Sequence, residues 1–240
     1  MLRPYFVLLL GLFSAIGTAA APVSRLYYDQ AHGELAPGEA VKATAEALHL
    51  EVVVSADPIT ADQLKGIRLL YLRAPSREIG AGERAAIVDF VRHGGSLLLV
   101  LDQEQRQSLA KTKVNEIIDP FGLQLTADTE YLHNCGALAK AGAINRADRE
   151  LPYSGGRAVV GGTAFAWRLD QDGKPAEPFA AYAQVGRARI VVLAEGMATL
   201  HLGTKDGERL SGVPNDPAHT TYWGRDSAVF MAEVLAWLIE

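Results

Sequence analysis

The chain has 240 residues, 49% of them hydrophobic, and a formal net charge of -5. That size and apolar content fill the core of one α/β domain and exclude a disordered chain; the acidic balance excludes nucleic acid or an anionic membrane as the main partner, because both select a basic footprint. The single cysteine, Cys135, excludes an internal disulfide and a cysteine-based zinc cluster.

In chain order, Arg3, the apolar run 5–16 and the small residues "GTAAA" have the pattern of a signal peptide over residues 1–20, leaving one domain over 21–240. The apolar run is shorter than the ~20 residues of a spanning helix, so a periplasmic or secreted protein is expected, with no membrane insertion after leader removal. "SRLYY" predicts a strand, "PGEAVKATAEALHL" a helix from Pro37, "LEVVVS" and "GIRLLYLRA" strands, "GAGERAAIVDFVRHGG" a helix stopped by glycine, and "SLLLVLDQ" a strand. The continuously apolar "IRLLYL" and "SLLLVL" belong in a parallel sheet covered on both faces.

"KVNEIIDPFGLQL" predicts a short helix ended by Pro120 and Gly122, then a strand. The stretch 131–154, rich in small and polar residues, predicts loops around a short helix. "RAVVGG", "FAWRLD" and "FAAYAQVG" predict short antiparallel strands, with a turn at Asp172-Gly173, and "VGRARIVVLAE" a hairpin at Gly186 entering a buried strand. "GRDSAVFMAEVLAWLIE" predicts a closing helix capped near Asp226 or Ser227, with Val229, Phe230, Val234, Trp237 and Leu238 facing the core. The fold class is therefore α/β: a three-layer, flavodoxin-like, open and mostly parallel sheet with helices on both faces and a short antiparallel extension.

The order "LYYDQAHGE", "ADQLKGIRLLYLRAP", "GERAAIVDFVRHGGSLLLVLD", "VNEIIDPFGLQL", "GRARIVVLAEGM" and "RDSAVFMAEVLAWL" resembles the class I glutamine amidotransferase-like superfamily. Within it, the chain is most similar to exported uncharacterised members lacking the catalytic cysteine, related to gliding-motility and ABC-transport-associated proteins and to intraflagellar-transport domains. Active members carry a nucleophilic cysteine on a tight turn after a core strand. The corresponding place here, after "SLLLVL", holds Asp102, Gln103 and Glu104, so the resemblance implies a cleft without that nucleophile and makes glutamine hydrolysis improbable.

Open parallel sheets bind ligands beyond the strand C-termini. Asp29, His32 and Glu34 follow the first strand, Arg73 and Ser76 the third, Asp102 and Gln103 the fourth, and Glu195 the late one. Asp29, His32 and Glu34 suit hydrogen bonding to a polar ligand, or acid–base work by His32, or a capped turn. Arg73 suits a carboxylate or phosphate, or an internal pair with Asp102 or Glu195. His32, His133, Cys135, His201 and His219 have no metal-ligand spacing, so neither metal nor cofactor is expected, and Cys135 as nucleophile lacks the superfamily's strand–turn–helix setting. In the loop 201–226, Tyr222 and Trp223 offer a flat apolar surface or a staple for the last helix. The function expected from these residues is an exported, non-catalytic domain engaging a carbohydrate or peptide through Asp29, His32, Glu34, Arg73, Asp102, Gln103 and Glu195. The alternatives are an envelope hydrolase acting on a glycan or amide, with His32 or a carboxylate as general base and Cys135 as candidate nucleophile, and a structural module partnering an envelope protein.

Overall fold

The computed structural model describes residues 24–129, 136–153, 155–196 and 226–240. Residues 1–20, read above as a signal peptide, and Cys135, His133, His201, His219, Tyr222 and Trp223 lie outside the described residues.

The first half alternates β1 (Ser24–Asp29), α1 (Glu39–Ala47), β2 (Leu50–Ser55), β3 (Leu69–Arg73), α2 (Ala81–Arg92) and β4 (Ser96–Val100). Short helices α3 (Leu109–Thr112) and α4 (Asn115–Ile118) lead to β5 (Leu123–Asp128). The second half runs β6 (Ala137–Ala139), β7 (Arg149–Leu151), β8 (Arg157–Gly161), β9 (Thr163–Leu169), β10 (Pro175–Val185), β11 (Ala188–Leu193) and α5 (Ser227–Ile239).

Nine strands form one sheet in the order β2-β1-β3-β4-β11-β10-β9-β6-β7, and β5 pairs with β8 in a separate ribbon. The five strands from β2 to β11 are parallel; β10, β9, β6 and β7 add antiparallel neighbours. Leu69 to Leu72 and Leu97 to Val100 are fully buried, as two covered faces require. Helices α1 and α5 contact each other on one face, while α2 packs with α4 against β4 and β11 on the other. The chain steps from β1 to β2 on one side and returns to β3 on the other, so a switch in strand order falls between β1 and β3.

Two local expectations are corrected. Residues 137–139 and 149–151 are strands, where loops around a short helix were expected; each pairs by backbone hydrogen bonds that three small or charged residues do not announce. On α5, Phe230, Val234, Trp237 and Leu238 are buried, but Val229 is 46% exposed, one step off the core stripe.

Candidate functional site

The β1 strand carries the chain to the sheet's C-terminal edge, where Asp29, His32 and Glu34 fold back over the switch point. All three are buried, with Asp29 at 0%, His32 at 4% and Glu34 at 8% exposure. His32 Nδ1 lies 2.6 Å from Asp29 Oδ2, and Nε2 lies 3.1 Å from Glu83 Oε1. Glu83 is set by its place in the first turn of α2, where Oε2 accepts the Gly80 backbone N–H at 2.8 Å and Oε1 the Ile59 N–H at 2.7 Å. Glu34 Oε2 accepts the His32 N–H at 2.8 Å, and Asp29 Oδ1 the Ala31 N–H at 3.2 Å. The β3 side answers with Ser76 and Arg77, whose N–H groups donate to the His32 carbonyl at 2.8 and 3.0 Å. Gly33 makes the turn with φ +88°, and a Cβ there would stand 2.3 Å from Ser76 Oγ.

A ring with a carboxylate at each nitrogen is held as imidazolium. Burial pulls the His32 pKa down, but the Asp29 hydrogen bond, followed by the charges of Asp29, Glu83 and Glu34, outweighs it and raises the pKa to about 9. Burial and then the facing Asp29 carboxylate push Glu34 up to about 8, so this pair of carboxyls keeps a proton. Donor atoms of Asp29, His32 and Glu34 lie within 4.8 Å of one another, a spacing a metal ion could also accept.

This chemistry gives stability a pH slope of definite sign. His32 contributes stability fully below its unfolded value of 6.5, and the contribution is lost as pH rises through about 9. Glu34 also binds its proton more tightly when folded, so its contribution declines above 4.5 and is gone once pH passes about 8. The unfolding free energy, read from urea titrations between about pH 6 and about pH 9.5, is expected to fall by on the order of 6 kcal/mol, roughly half from each group. A flat profile would rule out the proton-sharing cluster.

The remaining edge residues fall into a second group. Arg73, Ala74, Ser76, Asp102, Arg106, Gln107, Gly33 and Gly196 line an open cavity of about 300 Å³. Arg73 hydrogen-bonds the Tyr28 hydroxyl, whose pKa is raised chiefly by burial and lowered in part by this arginine. Ala74 adopts φ 55°, a left-handed conformation held by its N–H to Val100 at 2.9 Å. Asp102 Oδ2 pairs with Arg106 Nη1 at 3.0 Å while Oδ1 accepts the Gln103 N–H at 2.8 Å; burial pushes its pKa up. The Gln103 side chain accepts from Gln105 Nε2 at 2.7 Å. Glu195 is fully buried. Of the seven expected residues, Asp29, His32 and Glu34 thus form a closed cluster and Arg73 and Asp102 line the cavity, while Gln103 and Glu195 are not among its lining residues.

Two participants escaped sequence reasoning. Glu83 completes the His32 ring contacts from a helix turn fifty residues away, and only its position three residues after Gly80 hinted at a structural role. Arg157, 1% exposed, donates to the Asp102 carbonyl at 2.8 Å, the Thr126 carbonyl at 3.0 Å, the Gln107 carbonyl at 2.9 Å and Glu104 Oε2 at 2.6 Å. It fixes the loop that follows β4.

The mmIFT52 N-terminal domain superposes with TM-score 0.67 and 17% identity over 90% of this chain and 97% of that one. A ThuA-like protein from Bacteroides uniformis shares the fold at TM-score 0.54 and 11% identity, covering 94% of this chain and 95% of its own. In sequence, the intraflagellar transport protein 52 homologs of Mus musculus and Homo sapiens are 28% and 27% identical over 112 residues, 44% of this chain. The match spans 25% of each relative's length. These relatives are intraflagellar transport proteins, which overturns the reading as exported, periplasmic or secreted that residues 1–20 had suggested, and with it the exported carbohydrate- or peptide-binding domain, the envelope hydrolase and the envelope-complex module. The intraflagellar-transport side of the resemblance is the specific one: the IFT52 GIFT domain matches residues 34–203, most of the chain, and the chain belongs to that family.

Proposed function

We propose that this chain is a non-catalytic assembly domain of intraflagellar-transport type that engages protein partners. The observation that carries this reading is the family match across residues 34–203, which joins the chain to relatives named as transport proteins. The chemistry of the strand edge supports it. A general base needs a ring nitrogen open to substrate, whereas both nitrogens of His32 face carboxylates inside a buried cluster. After β4, where the superfamily's nucleophile would stand, Asp102 instead pairs with Arg106. In this reading Asp29, His32 and Glu34 brace the β1 and β3 loops against α2 and do no chemistry on a substrate.

Cross-linking mass spectrometry of the tagged full chain in its source cells tests the proposal. A defined set of protein partners is the expected result. Cross-links to no protein, or turnover of glutamine or glycosides by the purified chain, would sink it.

A further inference from the structure

The sheet edge opposite the His32 cluster carries a separate concavity. Arg68 precedes β3, Gly94 precedes β4, and Arg187 and Arg189 flank the start of β11; with Gln184, Gly186 and Glu240 they line an open cavity of about 440 Å³. Three guanidiniums therefore converge on one hollow of a chain whose net charge is -5.

Two of these arginines have a role in the fold. Arg68 donates through Nε to the Ile239 carbonyl at 3.3 Å, and through Nη1 to the Gly94 carbonyl at 3.0 Å and Ser96 Oγ at 3.2 Å. Arg189 Nη1 donates to the Trp237 carbonyl, and its guanidinium stands 4.9 Å from the Trp237 ring centroid. Together they satisfy carbonyls at the C-terminal end of α5, where positive charge is favourable. That role leaves much of the donor set over. Arg68 Nη2, Arg189 Nε and Nη2, and the whole Arg187 guanidinium have no acceptor among the described residues. Arg187 is exposed and lies along Gly94, where a Cβ would stand 3.7 Å from its Nε. Burial, then the charges of Arg189 and Arg187, hold the Arg68 guanidinium below its ordinary pKa, so the three repel one another at close range. One carboxylate answers them: Glu240 Oε2 sits 3.0 Å from Arg189 Nη1.

We propose that this cavity is a docking site for an acidic, carboxylate-rich segment of a protein partner. Free planar donors, an uncompensated positive charge and a carboxylate already seated against Arg189 define the chemistry it selects. The proposal rests on the reading that the domain works through protein partners, and it places the contact at the strand N-terminal edge, away from the edge used by ligand-binding relatives of the fold.

Fluorescence anisotropy of fluorescein-labelled hexaglutamate, titrated with the full chain at low ionic strength, reads this site directly. Labelled hexalysine and inorganic phosphate serve as comparison probes. Saturable hexaglutamate binding is expected, weakened by about tenfold or more in Arg187→Glu and by added salt, with hexalysine inert. Because Arg187 is exposed and unbonded, the variant should melt as the parent does, and a matched melting temperature certifies the comparison. Absent hexaglutamate binding, equal binding by Arg187→Glu, or saturation by phosphate where hexaglutamate fails would each overturn the proposal. Hexaglutamate binding in a chain that cross-links to no protein would instead remove the assembly reading and leave the anion site standing.

Discussion

Replacing His32 by alanine is expected to lower the unfolding free energy by about 3–5 kcal/mol, the cost of breaking a buried ion pair by deleting one partner. The reason lies in what the substitution leaves behind. Asp29, fully buried, loses the imidazolium 2.6 Å away, and Glu83 loses the same ring at 3.1 Å while still tied to the Ile59 and Gly80 amides. Asp29 cannot turn to water without releasing the loop, and Glu83, though partly exposed, stays tied to the two amides. The damage is local in origin, because the His32 carbonyl accepts the Ser76 and Arg77 amides that dock the β3 loop onto the β1 loop. Denaturant titration measures the loss, and hydrogen exchange at residues 74–77 should accelerate with it. His32→Gln, which supplies a donor but no charge, should recover only part. A loss below about 1 kcal/mol would mean that the cluster is solvated and that His32 is a surface turn residue.

The fold and this cluster were not equally legible in the sequence. The β1-to-β4 half was readable because a parallel sheet buried on both faces writes itself as unbroken apolar runs, such as "LLYL" and "LLLV", between a glycine-stopped helix and turns. Strands β6 and β7 were not, because "ALA" and "REL" are too short for any period and take their conformation from backbone pairing to each other and to β9. At the site, the position of Asp29, His32 and Glu34 beyond the first strand was readable, since strand ends are marked by the switch from apolar to polar residues. Their role was not. Whether a histidine faces solvent or two carboxylates depends on where α2 delivers Glu83, and that is a tertiary fact. Export was misread for a related reason: a short apolar run near the start carries a compositional signal only, and the relatives' identity as intraflagellar transport proteins outweighs it.

Arg157 shows the same limit most plainly, and its removal should be nearly as costly as that of His32. In the sequence it is the first residue of an ordinary strand, "RAVVG", with no neighbour that marks it. In the fold its side chain is buried at the junction of β8, β5 and the loop after β4, and every donating nitrogen has a partner: carbonyls of Asp102, Thr126 and Gln107, and the Glu104 carboxylate. The Ser108 hydrogen bond and then that of Arg157 hold Glu104 down to about 2, so the pair stays charged across the physiological range. Arg157→Ala would strand three carbonyl oxygens in a site that water reaches poorly, at ~1–3 kcal/mol for a fully desolvated group and less for those that relax to solvent. The expected sum is a loss of about 3 kcal/mol by denaturant titration, carried by the stranded carbonyls, because Glu104 is half exposed and rehydrates. Arg157→Lys should restore little, because an ammonium on a flexible stem cannot reproduce a planar fork spanning four acceptors. Hydrogen exchange discriminates a local clamp from a general core defect. Amides of residues 102–109 and 123–128 should exchange faster in Arg157→Ala, while those of β1 and β3 keep their protection relative to global stability. Uniform acceleration throughout the sheet would show instead that Arg157 supports the whole core, and that the loop after β4 does not depend on it for its shape.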